Sequence, residues 1–297
     1  GALVTLVDRG GQILHREDPD VAALVQAALE ADGVRVLLRS RVDSIAPGRG
    51  GPHRVRVRRG EDGGTEAALE VEADTILVAA GRRPNIEGLG LTKAGVAATE
   101  KGVTVNACLQ TTRPNIYAAG DLCGPYQFTH FAEYQARLIV RNILLAPLGG
   151  LARAKADYRV VPWTTFTEPE VARVGLNETE AARAGIPFDV HRVSYSHVDR
   201  AVLESDEAGF AKVIAAKGKE TILGATLAGG AAGEMIHELA LAMRERIGLS
   251  RLSSLIHVYP AWSQAVQRSA DAFMRTRLTP GARALFSRLY AWQRRSV

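Results

Sequence analysis

A short run that ends in a glycine and a carboxylate is the clearest candidate for chemistry in this chain of 297 residues. The run is Thr112-Arg-Pro-Asn-Ile-Tyr-Ala-Ala-Gly-Asp121, and residues 115–119 have the pattern of a buried strand. Such a strand would deliver Gly120 and Asp121 to the carboxyl edge of a sheet, where open α/β folds bind their ligands. Asp121 is therefore predicted to hold a sugar or polyol hydroxyl.

A helix is predicted about a dozen residues later, over residues 131–145. The free N–H groups and the positive dipole end at its start could stabilise negative charge on a ring system. His130 directly precedes this start and could be a cap, a pocket wall or a proton donor. For a histidine that stands alone, we favour the structural role over the catalytic one.

A second run of similar design is Thr75-Ile-Leu-Val-Ala-Ala-Gly-Arg-Arg-Pro-Asn85. It predicts a buried strand over residues 74–79 that ends in small residues, so that the backbone could approach a flat cofactor closely. Gly81 can adopt a conformation that a side chain would forbid. Ala80, Gly81 and Arg82 are therefore candidate cofactor contacts, although an ordinary strand exit could have the same residues.

The first candidate in the chain is Asp8, which ends an apolar run over residues 2–8 that predicts a buried parallel strand. An acidic residue there can accept two hydrogen bonds from an adenosine ribose diol. The glycine-rich turn that should precede it is absent, and Arg9 beside it leaves the choice between NAD and NADP open. Because a native chain rarely begins inside a parallel strand, we expect further sequence upstream of residue 1.

The elements that must position these residues follow from hydrophobic periodicity and turn residues. Residues 2–38 predict a strand, a helix and a strand joined as an α/β crossover. Strands at 42–46, 55–59 and 67–73 predict an antiparallel insert, and residues 147–150 predict a linker. The remainder predicts an α+β domain with strands near 160–166, 189–195, 209–215 and 222–228 and helices near 178–184, 233–246 and after Thr279-Pro280.

Composition limits the classes of protein that fit this chain. A hydrophobic share of 46% and a charged share of 23% exclude disordered and coiled-coil proteins. We expect no basic tail, so the net charge of +5 gives little support to a nucleic-acid partner. No apolar run is long enough to span a membrane. Cys108 and Cys123 suggest neither a disulfide framework nor a metal site, which favours the cytoplasm.

Two further runs complete a recognisable order of motifs. They are Pro162-Trp-Thr-Thr-Phe-Thr-Glu-Pro-Glu-Val-Ala-Arg-Val-Gly175 and Ile256-His-Val-Tyr-Pro-Ala-Trp-Ser-Gln264. Together with the runs at 75–85 and 112–121, they resemble the pyridine nucleotide-disulfide oxidoreductase family, which includes dihydrolipoamide dehydrogenase, glutathione reductase and mercuric reductase. The resemblance extends from residue 2 to about residue 270. It implies α/β partial nucleotide-binding (Rossmann-like) domains followed by an α+β dimerisation domain.

The resemblance also implies domain boundaries and partners. Residues 1–80 would be the C-terminal half of an NAD(P)H-binding domain, and residues 81–152 the C-terminal part of an FAD-binding domain. Residues 153–275 would form the dimerisation domain of a homodimer, which in this family completes the active site of the partner. Residues 276–297 would form a C-terminal helix.

Roles for single residues are implied by the same resemblance. Asp8 would lie near the adenosine ribose of the nicotinamide cofactor. Gly120 and Asp121 would contact the ribityl and phosphate region of FAD. The helix start at Phe131 and Ala132 would face the isoalloxazine ring.

Departures from the family pattern are as informative as the matches. The family has one glycine-rich turn for the FAD pyrophosphate and another for NAD(P)H, and this sequence contains neither. It also lacks the C-x-x-x-x-C redox pair of the family. Where disulfide-reducing members have a His before a proline and a Glu five residues later, this chain has Tyr259 and Gln264. Tyr259 could donate a hydrogen bond or contact a soft metal, whereas Gln264 cannot hold a charge. His257 could substitute as a base, but we favour a structural role for it.

The C-terminal helix has two possible interpretations. It sets arginines at 283, 288, 294 and 295 against apolar residues at 285, 286, 289 and 292. This pattern fits a helix that lies on a membrane surface. Packing on the dimer surface is the interpretation we favour.

Two functions from different classes fit the whole sequence. The first is the C-terminal portion of an FAD-dependent NAD(P)H oxidoreductase, in which hydride passes from nicotinamide to flavin and on to a dithiol, disulfide or metal-ion substrate. The second is a dimerisation module that binds no cofactor, or an inactive truncated remnant.

Overall fold

The computed structural model describes residues 1–48, 51–60, 68–148 and 153–294. The chain divides into two compact units, one made of Gly1–Ile76 with Pro162–Val297 and the other of Leu77–Val161. The sequence placed domain boundaries after residues 80 and 152, and that three-domain division stays a prediction. The predicted linker at 147–150 lies partly outside the described residues.

The first unit begins with a parallel strand, helix and strand, as the sequence predicts. Strand β1 (Thr5–Val7) pairs in parallel with β2 (Arg35–Leu37), and helix α1 (Pro19–Ala31) connects them. Pro19 stands in the first turn of α1, where its missing N–H removes no helical hydrogen bond. The buried stripe of α1 is formed by Val21, Ala22 and Val25.

An antiparallel sheet follows directly in the chain. It consists of β3 (Ser40–Ala46), β4 (His53–Arg59) and β5 (Ala68–Ala73), in that spatial order. Val55 and Val57 point inward from β4 and form a small core with Leu37, while the alternating Arg54, Arg56 and Arg58 face solvent. The predicted antiparallel insert is thereby confirmed, with residue 67 outside the described residues.

The second unit contains less regular structure than the sequence predicts. It has strands β6 (Ala98–Thr99) and β7 (Gly102–Val103), helix α2 (Thr129–Leu144), and 3₁₀ turns at Gly120–Leu122 and Ala146–Leu148. The strands predicted at 74–79 and 115–119 are wrong: residues 74–79 form no strand, and Tyr117 makes only an isolated bridge with Gln110.

The physical reason is the absence of pairing partners. A strand exists only where another strand accepts and donates its backbone hydrogen bonds. No described strand lies beside residues 74–79, and the side chains of Leu77 and Val78 are 90% and 78% exposed. The apolar pattern of this run is that of a buried strand, but the described chain does not bury it.

The first unit resumes as a five-stranded antiparallel sheet covered by helices. Its strands are β8 (Pro162–Thr165), β9 (Val171–Gly175), β10 (Phe188–Ser194), β11 (Phe210–Ala216) and β12 (Ile222–Ala228), in the spatial order β10-β11-β12-β9-β8. The helices are α3 (Glu178–Arg183), α4 (Asp199–Leu203), α5 (Ala232–Arg244), α6 (Leu249–Ser253), α7 (Gln264–Thr276) and α8 (Pro280–Gln293), with a 3₁₀ turn at Tyr195–His197.

Four strands and three helices of this part confirm the sequence predictions, whereas β9, α4, α6 and α7 were not predicted. The buried stripe of α7 consists of Ala265, Val266, Ser269, Ala270 and Phe273. Alanine and serine carry little hydrophobic signal, so the helical period of α7 is weak in the sequence.

A buried ionic cluster joins α1 to the five-stranded sheet. The side chain of Lys212 on β11 is 1% exposed, and its Nζ donates to Asp18 (2.9 Å), Asp20 (2.9 Å) and Glu178 (2.7 Å). Burial alone would raise the pKa of Asp18, but hydrogen bonds from Lys212 and Thr179 hold this pKa below its usual value. A buried lysine is tolerated here because every N–H of its ammonium group has an acceptor.

Candidate functional site

The glycine of the strongest sequence motif lies in a tight turn against a helix. Gly120 has a φ of +72°, and a Cβ at this position would lie 3.0 Å from the Cβ of Ala132 in the first turn of α2. Both the backbone conformation and the close approach therefore require glycine. This packing holds the turn that carries Asp121, whose side chain is exposed, next to the start of α2.

A buried glutamine ties this turn to α2 and to the end of the unit. The backbone N–H of Gly120 donates to Gln135 Oε1 at 2.6 Å, and Gln135 Nε2 donates to the hydroxyl of Tyr158 at 2.7 Å. Gln135 is completely buried, and burial raises the pKa of Tyr158. Sequence reasoning missed both residues. The available signal was a polar residue at the helical spacing of Phe131 and Leu138, on the face of α2 that is buried.

The start of α2 has no side-chain cap. Its N-cap residue is Phe128, which offers no side-chain acceptor, so the first backbone N–H groups keep no intrahelical partner. Phe131 is buried with its ring centroid 5.4 Å from Tyr126 and 4.8 Å from Tyr158, and the exposed His130 stacks on Phe128 at 5.2 Å. Aromatic side chains therefore pack around the start of α2.

The second motif approaches the same helix start. Arg82 Nη1 donates to the carbonyl of Gln127 at 2.8 Å, two residues before α2 begins. Ala80 and Gly81 precede it in an exposed segment, and Gly81 has a φ of +128°. The structure therefore brings the 80–82 run and the 120–132 run together at one end of α2.

Asp8 lies in the other unit and occupies the position predicted for it. It follows β1 at the carboxyl end of the parallel pair, and its backbone N–H donates to the carbonyl of Leu37 at 2.9 Å. One oxygen of its carboxylate accepts from the N–H of Gly10 at 2.6 Å. Asp8 thus folds into a tight local turn that orients the carboxylate.

Tyr259 is open to solvent and paired with a carboxylate. The Tyr259–Pro260 peptide is cis, and the Tyr259 side chain is 66% exposed. Its phenol O–H donates to Asp199 at the start of α4, and this hydrogen bond raises the pKa of Tyr259 because it stabilises the neutral phenol. Arg268 Nη2 on α7 lies 3.5 Å from the same carboxylate. The three side chains form a surface cluster of donor, acceptor and cation.

His257 and Gln264 have different surroundings from Tyr259. His257 is buried, with Nε2 3.0 Å from Glu238 and Nδ1 3.1 Å from the carbonyl of Leu255. Both ring nitrogens are engaged, which supports the structural interpretation of this residue. Gln264 is the first residue of α7, and its Oε1 is buried without a hydrogen-bond partner among the described residues. A buried oxygen without a partner is a candidate acceptor for a ligand.

The two cysteines are free, and they differ in environment. Burial raises the pKa of the Cys123 thiol to about 11, so this thiol stays neutral and acts as a small core residue. Cys108 is half-buried. Over the described ranges, no three His, Cys, Asp or Glu side chains are grouped as metal ligands, and no described helix is long and apolar enough to cross a membrane.

Two family models match this chain in separate regions. Residues 1–136 match the pyridine nucleotide-disulphide oxidoreductase model, and residues 161–270 match the dimerisation domain of the same family. The chain belongs to the pyridine nucleotide-disulphide oxidoreductase family. Its α1–β2 crossover and its five-stranded sheet thus lie in the regions that define this family.

Curated relatives and solved structures agree with this assignment. The chain is 35% identical to a dihydrolipoyl dehydrogenase of Chlamydia muridarum over 91% of its length, and 33% identical to a mercuric reductase of Acidithiobacillus ferrooxidans over 93%. These matches cover 55% and 47% of the relatives, so the chain spans about half of their length.

A similar match is found in the Cu(II) complex of the HOCl-induced flavoprotein disulfide reductase RclA from Escherichia coli. The TM-score is 0.79 at 27% identity, over 91% of this chain and 58% of that one. LpdA from Mycobacterium tuberculosis matches with a TM-score of 0.80, also at 27% identity, over 92% of this chain and 57% of that one.

Proposed function

We propose that this chain is the C-terminal portion of an FAD-dependent NAD(P)H oxidoreductase that resembles mercuric reductase. The observation that carries the proposal is the Gly120–Asp121 turn, which is packed on the uncapped start of α2 and locked there by Gln135. A carboxylate that can accept from a hydroxyl, beside the positive dipole end of a helix, suits a ligand that carries both hydroxyl groups and developing negative charge.

The residues of the second unit would form one side of a flavin site. Asp121 would accept a hydrogen bond from a ribityl hydroxyl, while the first N–H groups of α2 would stabilise negative charge on the ring. Asp8 would accept hydrogen bonds from the adenosine ribose of NAD(P)H. FAD and NAD(P)H, when bound, would supply the hydride chemistry, and this chain would supply binding and orientation.

Tyr259 favours a metal-ion substrate over a disulfide. The phenol is held neutral by Asp199 and can donate a hydrogen bond or contact a soft cation, but it cannot act as a base at neutral pH. A mercuric reductase and a Cu(II) complex of a flavoprotein disulfide reductase are among the similar proteins. In a homodimer, Tyr259 and Gln264 would face the active site of the partner. The cysteine usage supports a reducing compartment such as the cytoplasm.

A dimerisation module that binds no cofactor is the second candidate. The exposure of Leu77 and Val78, in a run predicted as a strand, supports it, because the nucleotide-binding sheet is not closed by the described residues. The chain would then serve assembly rather than catalysis, because its antiparallel sheet is well formed and its two nucleotide-binding domains are only partial.

The deciding experiment is the visible absorbance of the native gene product, whose mass is measured first. A longer product with flavin absorbance, weakened by Gly120→Ala and unaffected by Gly88→Ala, supports the enzyme. Gly88 is the matched control because it also has a positive φ but no atom within 4 Å of an added Cβ. A soluble dimer without flavin absorbance would reject the enzyme and support the module.

A further inference from the structure

The positive charge of this chain is concentrated at its C-terminus. Residues 272–297 contain six of the 37 basic residues and none of the 32 acidic ones, so the net charge of +5 becomes −1 for residues 1–271. This distribution corrects the expectation that the chain has no basic tail. All six basic residues are arginines, and three of them, Arg283, Arg288 and Arg294, lie on or directly after α8.

Helix α8 exposes apolar side chains along its length. Leu285, Phe286, Leu289 and Tyr290 are between 47% and 58% exposed, and none of the described side chains of α8 is buried. The helix lies outside both regions that match the family models. Packing of α8 on the dimer surface, the interpretation that the sequence favours, would require a second chain and stays a prediction.

The apolar and basic residues of α8 lie on separate faces. Ala282, Leu285, Phe286 and Leu289 follow the i, i+3, i+4, i+7 spacing of one helical stripe. At about 100° per residue, Arg283 and Arg288 lie about 110° to either side of the centre of this stripe. The apolar stems of arginine side chains can lie along the edge of an apolar stripe while their guanidinium groups reach the polar surroundings.

We propose that α8 docks on the surface of an anionic lipid bilayer. Leu285, Phe286 and Leu289 would enter the boundary between headgroups and acyl chains, while Arg283, Arg288 and Arg294 would contact lipid phosphates. The 14-residue helix is too short and too charged to span the hydrocarbon core, so it would lie in the plane of the surface. This inference does not depend on the proposed oxidoreductase function.

Charge and apolarity together favour a lipid surface over other partners. A nucleic acid would pair with the arginines but would leave the apolar stripe in water. A second copy of α8 would bury the stripe but would bring the flanking arginines of two helices together, with no acidic residue after Asp271 to pair with them. An anionic bilayer would bury the apolar stripe and would also place lipid phosphates beside the arginines.

The first experiment is flotation of the full chain with vesicles. Vesicles of phosphatidylcholine mixed with phosphatidylglycerol should carry the chain upward at low salt and less at high salt, whereas pure phosphatidylcholine should not. The triple variant Arg283→Gln, Arg288→Gln, Arg294→Gln should bind on the order of 100-fold more weakly, since each arginine near an anionic surface contributes about a factor of five. Its charge-matched control, Arg183→Gln, Lys219→Gln, Arg244→Gln, changes exposed positions elsewhere and should bind normally.

A second pair of variants tests the apolar stripe. Leu285→Ser with Leu289→Ser should abolish flotation, while Ala284→Ser with Ala291→Ser on the opposite face should not. Circular dichroism checks that all variants are folded.

Three outcomes would overturn the proposal. The first is an absence of flotation with anionic vesicles, or equal flotation with neutral ones. The second is an equal loss of binding in a variant and its control. The third is that the original chain does not bind vesicles but does self-associate or bind DNA, and that the variants lose this association.

Discussion

Asp199 determines the chemical state of Tyr259 at the scale of single residues. The sequence places a tyrosine where disulfide-reducing relatives have a histidine, but the carboxylate that faces it lies 60 positions earlier in the chain. Gln264 Oε1 has no partner among the described residues, so the phenol does not donate to it. The acceptor next to Tyr259 is therefore Asp199, which lies outside the motif at residues 256–264.

The replacement Asp199→Asn should lower the pKa of the Tyr259 phenol. Removing the negative charge removes the stabilisation of the neutral phenol, and Arg268 would then favour the phenolate. Because the folded pKa is raised, the stabilisation from this bond is present below pH 10 and is lost as pH rises through the folded pKa. The measurement is the ultraviolet phenolate titration of each chain minus that of its Tyr259→Phe version. An unchanged difference curve would contradict the pairing.

At the scale of elements, the turn at Gly120 and the start of α2 form one unit because two contacts connect them. These are the close approach to Ala132, which the positive φ of Gly120 permits, and the buried hydrogen bond to Gln135. The positions of the glycine and the helix in the sequence predict their proximity. The glutamine that holds them together is evident only in three dimensions.

Gly120→Ala should destabilise the chain more than Gly88→Ala. Both replacements place a side chain at a positive φ, which costs about 1–2 kcal/mol. Only at Gly120 does the new Cβ also meet another atom, the Cβ of Ala132 at 3.0 Å. Urea unfolding measures both variants, and the difference between them isolates the contact. Equal destabilisation would show that α2 does not pack on this turn.

The buried ionic cluster is a second device at this scale. Lys212→Met leaves Asp18, Asp20 and Glu178 without their shared cation and should destabilise the chain by about 3–5 kcal/mol. The exposed Lys219→Met is the control and should change stability by less than about 0.5 kcal/mol.

This cluster also predicts a pH dependence of stability. The pKa of Asp18 is lowered in the folded chain, so its contribution is present above the ordinary value near 3.8 and is lost as pH falls through the folded pKa. In Lys212→Met the folded pKa of Asp18 rises towards or above that of the unfolded chain, so the loss of stability on acidification that this group causes should become smaller or reverse. Thermal unfolding as a function of pH measures this change, and identical profiles would contradict it.

At the scale of the whole molecule, the match to the family dimerisation model supports the proposed homodimer. Phe166, Ile256 and Val258 are strongly exposed in the domain that matches the family dimerisation model. Ile256 and Val258 flank the buried His257 and lead directly into Tyr259. An apolar loop of this kind is costly in water unless a partner covers it.

Val258→Glu should therefore shift the chain from dimer to monomer. A charge at this position would be buried without a partner in the interface, which is strongly unfavourable. Light scattering coupled to size-exclusion chromatography measures the mass in solution. Ile45→Glu, an exposed apolar position on β3, is the control and should leave the dimer intact. Equal masses for the original chain and Val258→Glu would exclude this loop from the interface.

The sequence by itself determined most of the elements and their order, the family and the residues that flank the start of α2. Hydrophobic period and turn residues are local signals, and they predict β1, α1, β2 and most of the five-stranded sheet. They failed for residues 74–79 and 115–119, because an apolar run becomes a strand only when neighbouring strands pair with it.

Only the tertiary structure decided which side chains meet across long separations. The pairing of Tyr259 with Asp199, of Gln135 with Gly120 and of Lys212 with Asp18 has no local sequence signature. Hydrogen bonds and ion pairs depend on distances of about 3 Å that are set by the packing of whole elements. The chemistry of each candidate residue therefore followed from its type, whereas its partner and protonation followed from the fold.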